Sequence, residues 1–144
     1  MKIALGADHG GFLLKEEVKK HLENKGYEFK DFGAYSEEST DYNEFGIAVA
    51  EAVSNNEYDR GILICGTGIG MSIMANKVNG IRAALVHDLF TAKATRLHND
   101  SNVLAMGGRV IGGGLALEIV DLWLETEFSE QERHERRIHK INKY

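Results

Sequence analysis

"ILICGTGIGMSI", Ile62 to Ile73, is the stretch that decides the fold. Ile62, Leu63 and Ile64 run without polar alternation, so this strand has to be covered on both faces, as a strand inside a parallel sheet is. Gly66, Gly68 and Gly70 then alternate with Thr67 and Ile69 before a second apolar run begins. Strand, glycine turn and helix start, in that order, make one step of a βαβ chain. Glycines at such a turn let main-chain N–H groups converge without side chains in the way, which suits an anion or a developing oxyanion.

The same alternation extends in both directions. "KIALGAD" at 2–8 reads as a first strand, and 12–26 as a helix with Phe12, Leu14, Val18 and Leu22 on one face and Gly26 at its end. "YEFKDFG" at 27–33 is a second strand, and 41–56 a helix starting at the N-cap candidate Asp41, with Phe45, Val49 and Val53 at helical spacing. "RGILIC" at 60–65 is the third strand, followed by a helix through about residue 77. Residues 82–87 and 88–100 form a fourth strand and helix, 103–108 and 113–128 a fifth pair, and 129–144 a final helix that is polar on most faces. The expectation is a single domain, 1–144, of class α/β, with five parallel strands and helices on both sides. Loops at the carboxyl ends of the strands then share one edge, where open α/β sheets bind ligands.

A chain of 144 residues with a net charge of −5 and no long block of one sign at either end argues against nucleic acid and anionic membranes as partners. Cys65 is the only cysteine, which excludes an internal disulfide framework and every CxxC-type site and fits a reducing cytoplasm. The apolar stretch in "MKIALGADHGGF" is too short for a signal sequence, and no apolar run approaches a membrane span, so a soluble, unprocessed protein is expected. The chain contains no proline.

Three familiar uses of a glycine loop fail here. A dinucleotide fingerprint needs a third glycine where Met71 stands, and it belongs early in the chain with an acidic residue at the end of the next strand. A phosphate-binding P-loop closes on a Lys-Ser/Thr pair, which is missing. A cysteine phosphatase needs an arginine where, again, Met71 stands. What remains is a cysteine at a strand end with a helix N-terminus just beyond it, a position that favours thiolate over thiol. Cys65 is therefore a candidate base or nucleophile; the alternative is a small buried hydrophobe closing the strand.

Other residues gather at the same kind of position. "GADHGG" ends the first strand and places Asp8 and His9 at the ligand edge; the alternative for Asp8 is a helix cap. "RLHNDSN" puts His98 and Asn99 just before the fifth strand, in the company of Asp100, and Arg109 follows that strand. His87 and His21 have no such company, and His21 reads as helix surface. In "ERHERRIHK", Arg133 and Arg137 share one helix face, and Arg136 and Lys140 a neighbouring one. Either this is a solvated face laced with Glu132 and Glu135, or it is a phosphate clamp built from guanidinium forks. A helix at the end of a compact domain also suits docking on a second subunit, which would carry its arginines into that subunit's site.

The chain resembles the sugar-phosphate isomerase family that contains the type B ribose-5-phosphate isomerases and the galactose-6-phosphate isomerase subunits. The resemblance spans nearly the whole chain and rests on "GADHGG" at 6–11, "DFG" at 31–33, "DYNEFG" at 41–46, "GILICGTGIGMSIMANKVNGIRAA" at 61–84, "RLHNDSNVLAMGGRVIG" at 96–112 and "ERHERRIHKI" at 132–141. It implies a Rossmann-like three-layer α/β/α sandwich, active sites shared across a homodimer or dimer of dimers, and no metal or organic cofactor. By matching position it implies Cys65 as the base that moves a proton between C1 and C2. Thr67 and the main chain of Gly66, Gly68, Ile69 and Gly70 steady the enediolate. Asp8 and His98 act at the ring oxygen and hydroxyls, with His98 assisting ring opening, and Tyr42 and Asn99 contact the sugar. His9, Arg109, Arg133 and Arg137 grip the phosphate, some from the neighbouring subunit, with His134 a weaker match. Asn43 and Asn79 stand where family members often have proline, beside the motifs rather than at a catalytic position.

The implied reaction is interconversion of D-ribose 5-phosphate and D-ribulose 5-phosphate through a cis-enediolate. Allose 6-phosphate or galactose 6-phosphate are six-carbon alternatives. Two further readings are a nucleotide- or ligand-binding module without chemistry, and a subunit that needs a different partner chain. Met71 speaks against the first, and the presence of Cys65, His98 and the arginines in one chain against the second.

Overall fold

The computed structural model describes residues 1–144. Five strands, β1 (Lys2–Ala7), β2 (Glu28–Asp31), β3 (Arg60–Cys65), β4 (Ala83–Leu85) and β5 (Val103–Gly107), pair in parallel in the order β2-β1-β3-β5-β4. They alternate with α1 (Phe12–Lys25), α2 (Tyr42–Ser54), α3 (Ile69–Ala75), α4 (Leu89–Asn99) and α5 (Gly113–Glu125), and α6 (Glu132–Ile141) follows. The expected α/β fold with a five-stranded parallel sheet is the observed one.

The period of two along each strand sorts the core into halves. Ile3, Leu5, Ile62, Ile64, Leu104 and Met106 point to one face and pack against Leu14, Val18 and Leu22 of α1 and Ile119, Val120 and Trp123 of α5. Ala4, Leu63, Cys65 and Val103 point to the other, against Val49, Ala50 and Val53 of α2 and Met71 and Ala75 of α3. Because Cys65 belongs to the second set, its thiol leaves the sheet on the α2/α3 side.

Element ends follow local chemistry. Gly26 closes α1 in the left-handed conformation, φ 77°, as expected. Asp88 caps α4 by accepting hydrogen bonds from both Thr91 N–H and Thr91 Oγ1, each at 2.7 Å. Asp41 does hold the N-cap position of α2, but its side chain makes no capping hydrogen bond. The fifth helix stops at Glu125 rather than at residue 128, because the Thr126 backbone turns extended and its carbonyl is taken by Arg96 Nε at 3.1 Å. The last helix starts at Glu132 rather than at 129, after Ser129 N–H has docked on the Leu97 carbonyl at 3.3 Å.

One buried charge pair shapes the edge of the sheet. Lys15 on α1 is fully buried, with Nζ 2.5 Å from Asp31 Oδ2. The other oxygen of Asp31 accepts Gly33 N–H at 2.9 Å, and the Gly33 carbonyl accepts Ala7 N–H at 2.6 Å. The "DFG" turn thereby extends the pairing of β1 up to the residue before Asp8.

A side chain at Gly11 would meet the backbone carbonyl of Ile64, which cannot swing away. Gly11→Ala is therefore expected to destabilise the protein by about 1–3 kcal/mol. Gly114, in the first turn of α5 with open space around it, is the control: Gly114→Ala should be neutral or stabilising by up to about 1 kcal/mol. Urea denaturation of the two variants checks the contrast, and equal effects would contradict it.

Candidate active site

All carboxyl ends of a parallel sheet lie on one edge, and β1 connects to β2 on one side while β3 lies on its other. The crevice at such a reversal is where open α/β sheets bind ligands. Asp8 leaves β1 there, buried, its N–H donating to the Ile64 carbonyl at 3.2 Å and its Oδ1 accepting Gly11 N–H at 3.0 Å. Cys65 ends β3 beside it. Its side chain is 95 % covered, and Gly68 N–H donates to Sγ at 3.0 Å, a bond that strengthens when the sulfur carries charge.

The loop after Cys65 is shaped by close backbone approach. Gly68 sits at φ 77°, and a Cβ there would lie 2.8 Å from the Met106 carbonyl carbon, so the position admits only glycine. Gly108 N–H donates to the Cys65 carbonyl at 2.8 Å and Arg109 N–H to the Gly66 carbonyl at 3.0 Å, which joins the end of β5 to the loop. The Arg109 guanidinium lies over Gly66, and the Tyr42 ring, at the start of α2, lies over Gly70. Thr67 is exposed, with Oγ1 accepting Ile69 N–H at 3.3 Å. The N–H groups of the first turn of α3 have no intrahelical partners by construction.

His9 Nδ1 accepts Thr40 N–H at 3.2 Å. In the neutral ring the proton is then on Nε2, which makes His9 a donor. His9, Gly10, Gly108 and Arg109 line a cleft of about 210 Å³ together with Leu13 and Glu37.

His98 and Asn99 lie elsewhere. They occupy the last turn of α4, within the helix expected over 88–100, and α4 runs from the carboxyl edge, after β4, back to the amino edge, before β5. The length of β5, Val103 to Gly107, therefore separates the two edges, about 13 Å at the usual strand rise. No hydrogen bond crosses that distance. Helix α6 packs on α4 and presents Arg133, Arg136, Arg137 and Lys140 outward. His134 turns inward from the same helix: it is buried, its Nδ1 is 2.7 Å from Ser129 Oγ, and its ring lies 4.7 Å from that of His98. Each chain thus carries two groups of candidate residues on opposite edges. Asp8, His9, Tyr42, Cys65, Gly66, Thr67, Gly68, Ile69, Gly70 and Arg109 form one; His98, Asn99, Arg133 and Arg137 form the other.

Sequence reasoning passed over His87. Its Nε2 accepts Gly107 N–H at 2.9 Å, so the ring props the end of β5 beside the Cys65 loop. The available signal was its place just after the fourth strand, on the ligand edge. His21, read as helix surface, is paired with Asp121 Oδ1 at 2.7 Å.

Residues 3–141 match the family described as Ribose/Galactose Isomerase. The chain is 56 % identical to the putative sugar phosphate isomerase YwlF of Bacillus subtilis, over 100 % of this chain and 97 % of that protein. It is 51 % identical to ribose-5-phosphate isomerase B of Escherichia coli, over 97 % of this chain and 93 % of the relative. Among solved structures, ribose-5-phosphate isomerase B of Clostridium thermocellum superposes with a TM-score of 0.97 at 55 % identity, covering 99 % of this chain and 96 % of that one. The three-layer α/β/α arrangement expected from the sequence is thus also that of a solved relative.

Two histidines tie stability to pH. Burial pushes His87 below its ordinary value of 6.5, against the opposing pull of Asp88. Burial also lowers His134, with Coulombic repulsion from the neighbouring Arg133 and Arg137 adding to the effect. Both stay neutral in the fold at a pH where the unfolded chain takes up protons, so stability should fall as pH drops below about 6.5. The melting temperature is expected to be lower at pH 5.5 than at pH 7.5. The double variant His87→Gln, His134→Asn, which keeps an acceptor at each site, should flatten the difference; an unchanged drop would refute the assignment.

Proposed function

The chain belongs to the ribose/galactose isomerase family, and we propose that it interconverts D-ribose 5-phosphate and D-ribulose 5-phosphate with Cys65 as the base. The observation that carries the reading is the Cys65 thiol, covered by protein and held by Gly68 N–H at 3.0 Å, beside Asp8 at the sheet's ligand edge. The names of the relatives at half identity or more point to the same chemistry.

The isomerisation needs a base, an oxyanion hole, a group that opens the sugar ring and a grip on the phosphate. The Cys65 thiolate takes the proton from C2 of the open aldose; the electron pair forms the C1–C2 double bond, and the aldehyde oxygen becomes the oxyanion. Main-chain N–H groups of the Gly66–Gly70 loop and Thr67 stabilise that charge, each worth about 10²–10³ in rate by analogy with other oxyanion holes. The thiol then returns the proton to C1, while a proton moves from O2 to O1. Asp8 and His98 act on the ring oxygen and hydroxyls, and Tyr42 and Asn99 hold the sugar. His9, Arg109, Arg133 and Arg137 bind the phosphate and supply remote binding energy that orients the reacting carbons.

A site with these members needs two copies of the chain, because His98, Asn99, Arg133 and Arg137 sit on the edge opposite their own Cys65. The working unit is a homodimer, or a dimer of dimers, in which the α4–α6 edge of one protomer completes the Cys65 edge of the other. Ile69 and Ile73 on α3, together with Leu85 and Phe90, are exposed apolar side chains near the Cys65 edge and offer surface for that partner. An unpaired catalytic thiol fits the cytoplasm, where it stays reduced.

The purified protein is expected to convert ribose 5-phosphate with a kcat/KM at least tenfold above that for allose 6-phosphate or galactose 6-phosphate. A preference for a six-carbon sugar would reassign the substrate, and no activity on any would remove the isomerase reading. Cys65→Ala should lower kcat by about 10²–10⁴ without loss of fold, the range for removal of a general base; near-normal kcat would remove Cys65 from the mechanism. Mixing Cys65→Ala with His98→Gln after subunit exchange should restore about a quarter of wild-type activity, since half the dimers are then mixed and each has one intact site. No recovery despite exchange would contradict the shared site.

A further inference from the structure

The turn that ends α4 is held far more tightly than a helix end requires. The last carbonyls of a helix lack intrahelical partners and are commonly left to water. Here two arginines take the last helical carbonyl, Asn99, that of the C-cap residue Asp100 and that of Ser101 just beyond. Arg82 donates from Nε to the Asn99 carbonyl at 3.0 Å and from Nη2 to the Asp100 carbonyl at 2.9 Å, and Arg96 donates from Nη1 to the Ser101 carbonyl at 2.6 Å. The Asp100 carboxylate lies between the two guanidiniums, with Oδ1 2.7 Å from Arg96 Nη1 and Oδ2 3.3 Å from Arg82 Nη2. Arg96 is 99 % covered, so its charge depends on Asp100 for a counter-ion.

Asp100 also holds a left-handed backbone, φ 45° and ψ 47°, which L-residues other than Asn and Asp rarely adopt. Arg82 reaches further, from Nη1 to Asn142 Oδ1 at 3.1 Å, just past the end of α6. The same clamp therefore links the His98 turn to the helix that bears Arg133 and Arg137.

We infer that Asp100 is a positioning residue: clamped between Arg82 and Arg96, its carboxylate fixes the turn that presents His98 to the Cys65 of a second copy. The inference rests on the reading of His98 as the ring-opening group of a shared site. Asp100 touches no reacting atom; it acts through the angle at which α4 ends.

The test separates ring opening from proton transfer. Ribose 5-phosphate is cyclic in solution, whereas ribulose 5-phosphate has its C5 oxygen blocked by phosphate and stays open. Exchange of its C1 hydrogen with deuterated water therefore needs the base and no ring opening. Asp100→Gly frees the backbone from strain and keeps the carbonyls but removes both carboxylate contacts to the arginines; Asp100→Asn tolerates the same backbone and keeps an oxygen for Arg96. Asp100→Gly should lower kcat/KM for ribose 5-phosphate about tenfold or more, while C1 exchange stays within about twofold of wild type. Asp100→Asn should recover most of the loss. The His98 imidazole resonances should shift in Asp100→Gly and return in Asp100→Asn.

Equal loss in both reactions, or no loss in Asp100→Gly, would overturn the inference. His98→Gln is the parallel control. If it fails to spare C1 exchange, the ring-opening reading of His98 falls, and Asp100 is then judged on the His98 resonances alone: displaced and restored upholds the clamp, unmoved refutes it.

Discussion

The polarity of a parallel sheet governs this molecule. Every strand delivers its carboxyl end to one edge, and every crossover helix must carry the chain back to the other before the next strand begins. Residues in the turns after β1, β3 and β5 are therefore neighbours, however far apart in sequence: Asp8, Cys65 and Arg109 meet because their strands are adjacent in the order β1-β3-β5. By the same rule a residue at the end of α4 is kept from that edge, whatever its chemistry. A single chain can assemble a base and an oxyanion hole, but the group assigned to ring opening has to come from somewhere else. The self-association proposed above would follow from the arrangement of these strands rather than from a surface added to the domain.

The Cys65 loop shows what such an edge demands of the main chain. The β5 turn lies on it tightly enough for Gly108 and Arg109 to hydrogen-bond the carbonyls of Cys65 and Gly66, and the β1 turn tightly enough that a Cβ on Gly10 would lie 3.0 Å from Gly66 N. Three turns in mutual contact leave little room for side chains at their crossing points, so glycine recurs in each. The result is a loop whose main-chain N–H groups are free of side-chain obstruction, and such dipoles stabilise a developing negative charge best where a bound ligand excludes water.

Much of this could be read in the sequence, and the reasons differ by residue. The doubly apolar run Ile62–Ile64 fixed β3 as an interior strand, and strand ends are where βα turns put chemistry, so Asp8, Cys65 and Arg109 were visible from pattern alone. His98 and Asn99 were visible as residue types at the end of the helix expected over 88–100, but their chemistry does not say that this end lies on the edge opposite Cys65. His134 was hidden by its setting in "ERHERR", since nothing in a run of charges indicates which member turns inward. The helix boundary at 125 depended on Arg96, thirty positions before Thr126, capturing the Thr126 carbonyl, and the one at 132 on the Leu97 carbonyl accepting Ser129 N–H. Local sequence carries no trace of such a partner.

Two charge pairs with a buried cation, Lys15 with Asp31 and Arg96 with the half-exposed Asp100, stand out against a largely apolar interior. Neither is a good way to gain stability, because desolvation consumes most of what the Coulomb attraction returns, and packed hydrophobes of similar volume often do as well. Their positions suggest a different use. Asp31 holds the Gly33 turn that extends β1 to the threshold of Asp8, and Asp100 holds the turn that ends with His98 and Asn99. An apolar pair would fill the same space without fixing an angle, whereas a guanidinium or ammonium with several directed donors permits only one arrangement of the carbonyls and carboxylates around it. One pair supports each of the two edges that meet in the proposed dimer, so the interior gives up apolar contact where the candidate site has to be held to a fraction of an ångström.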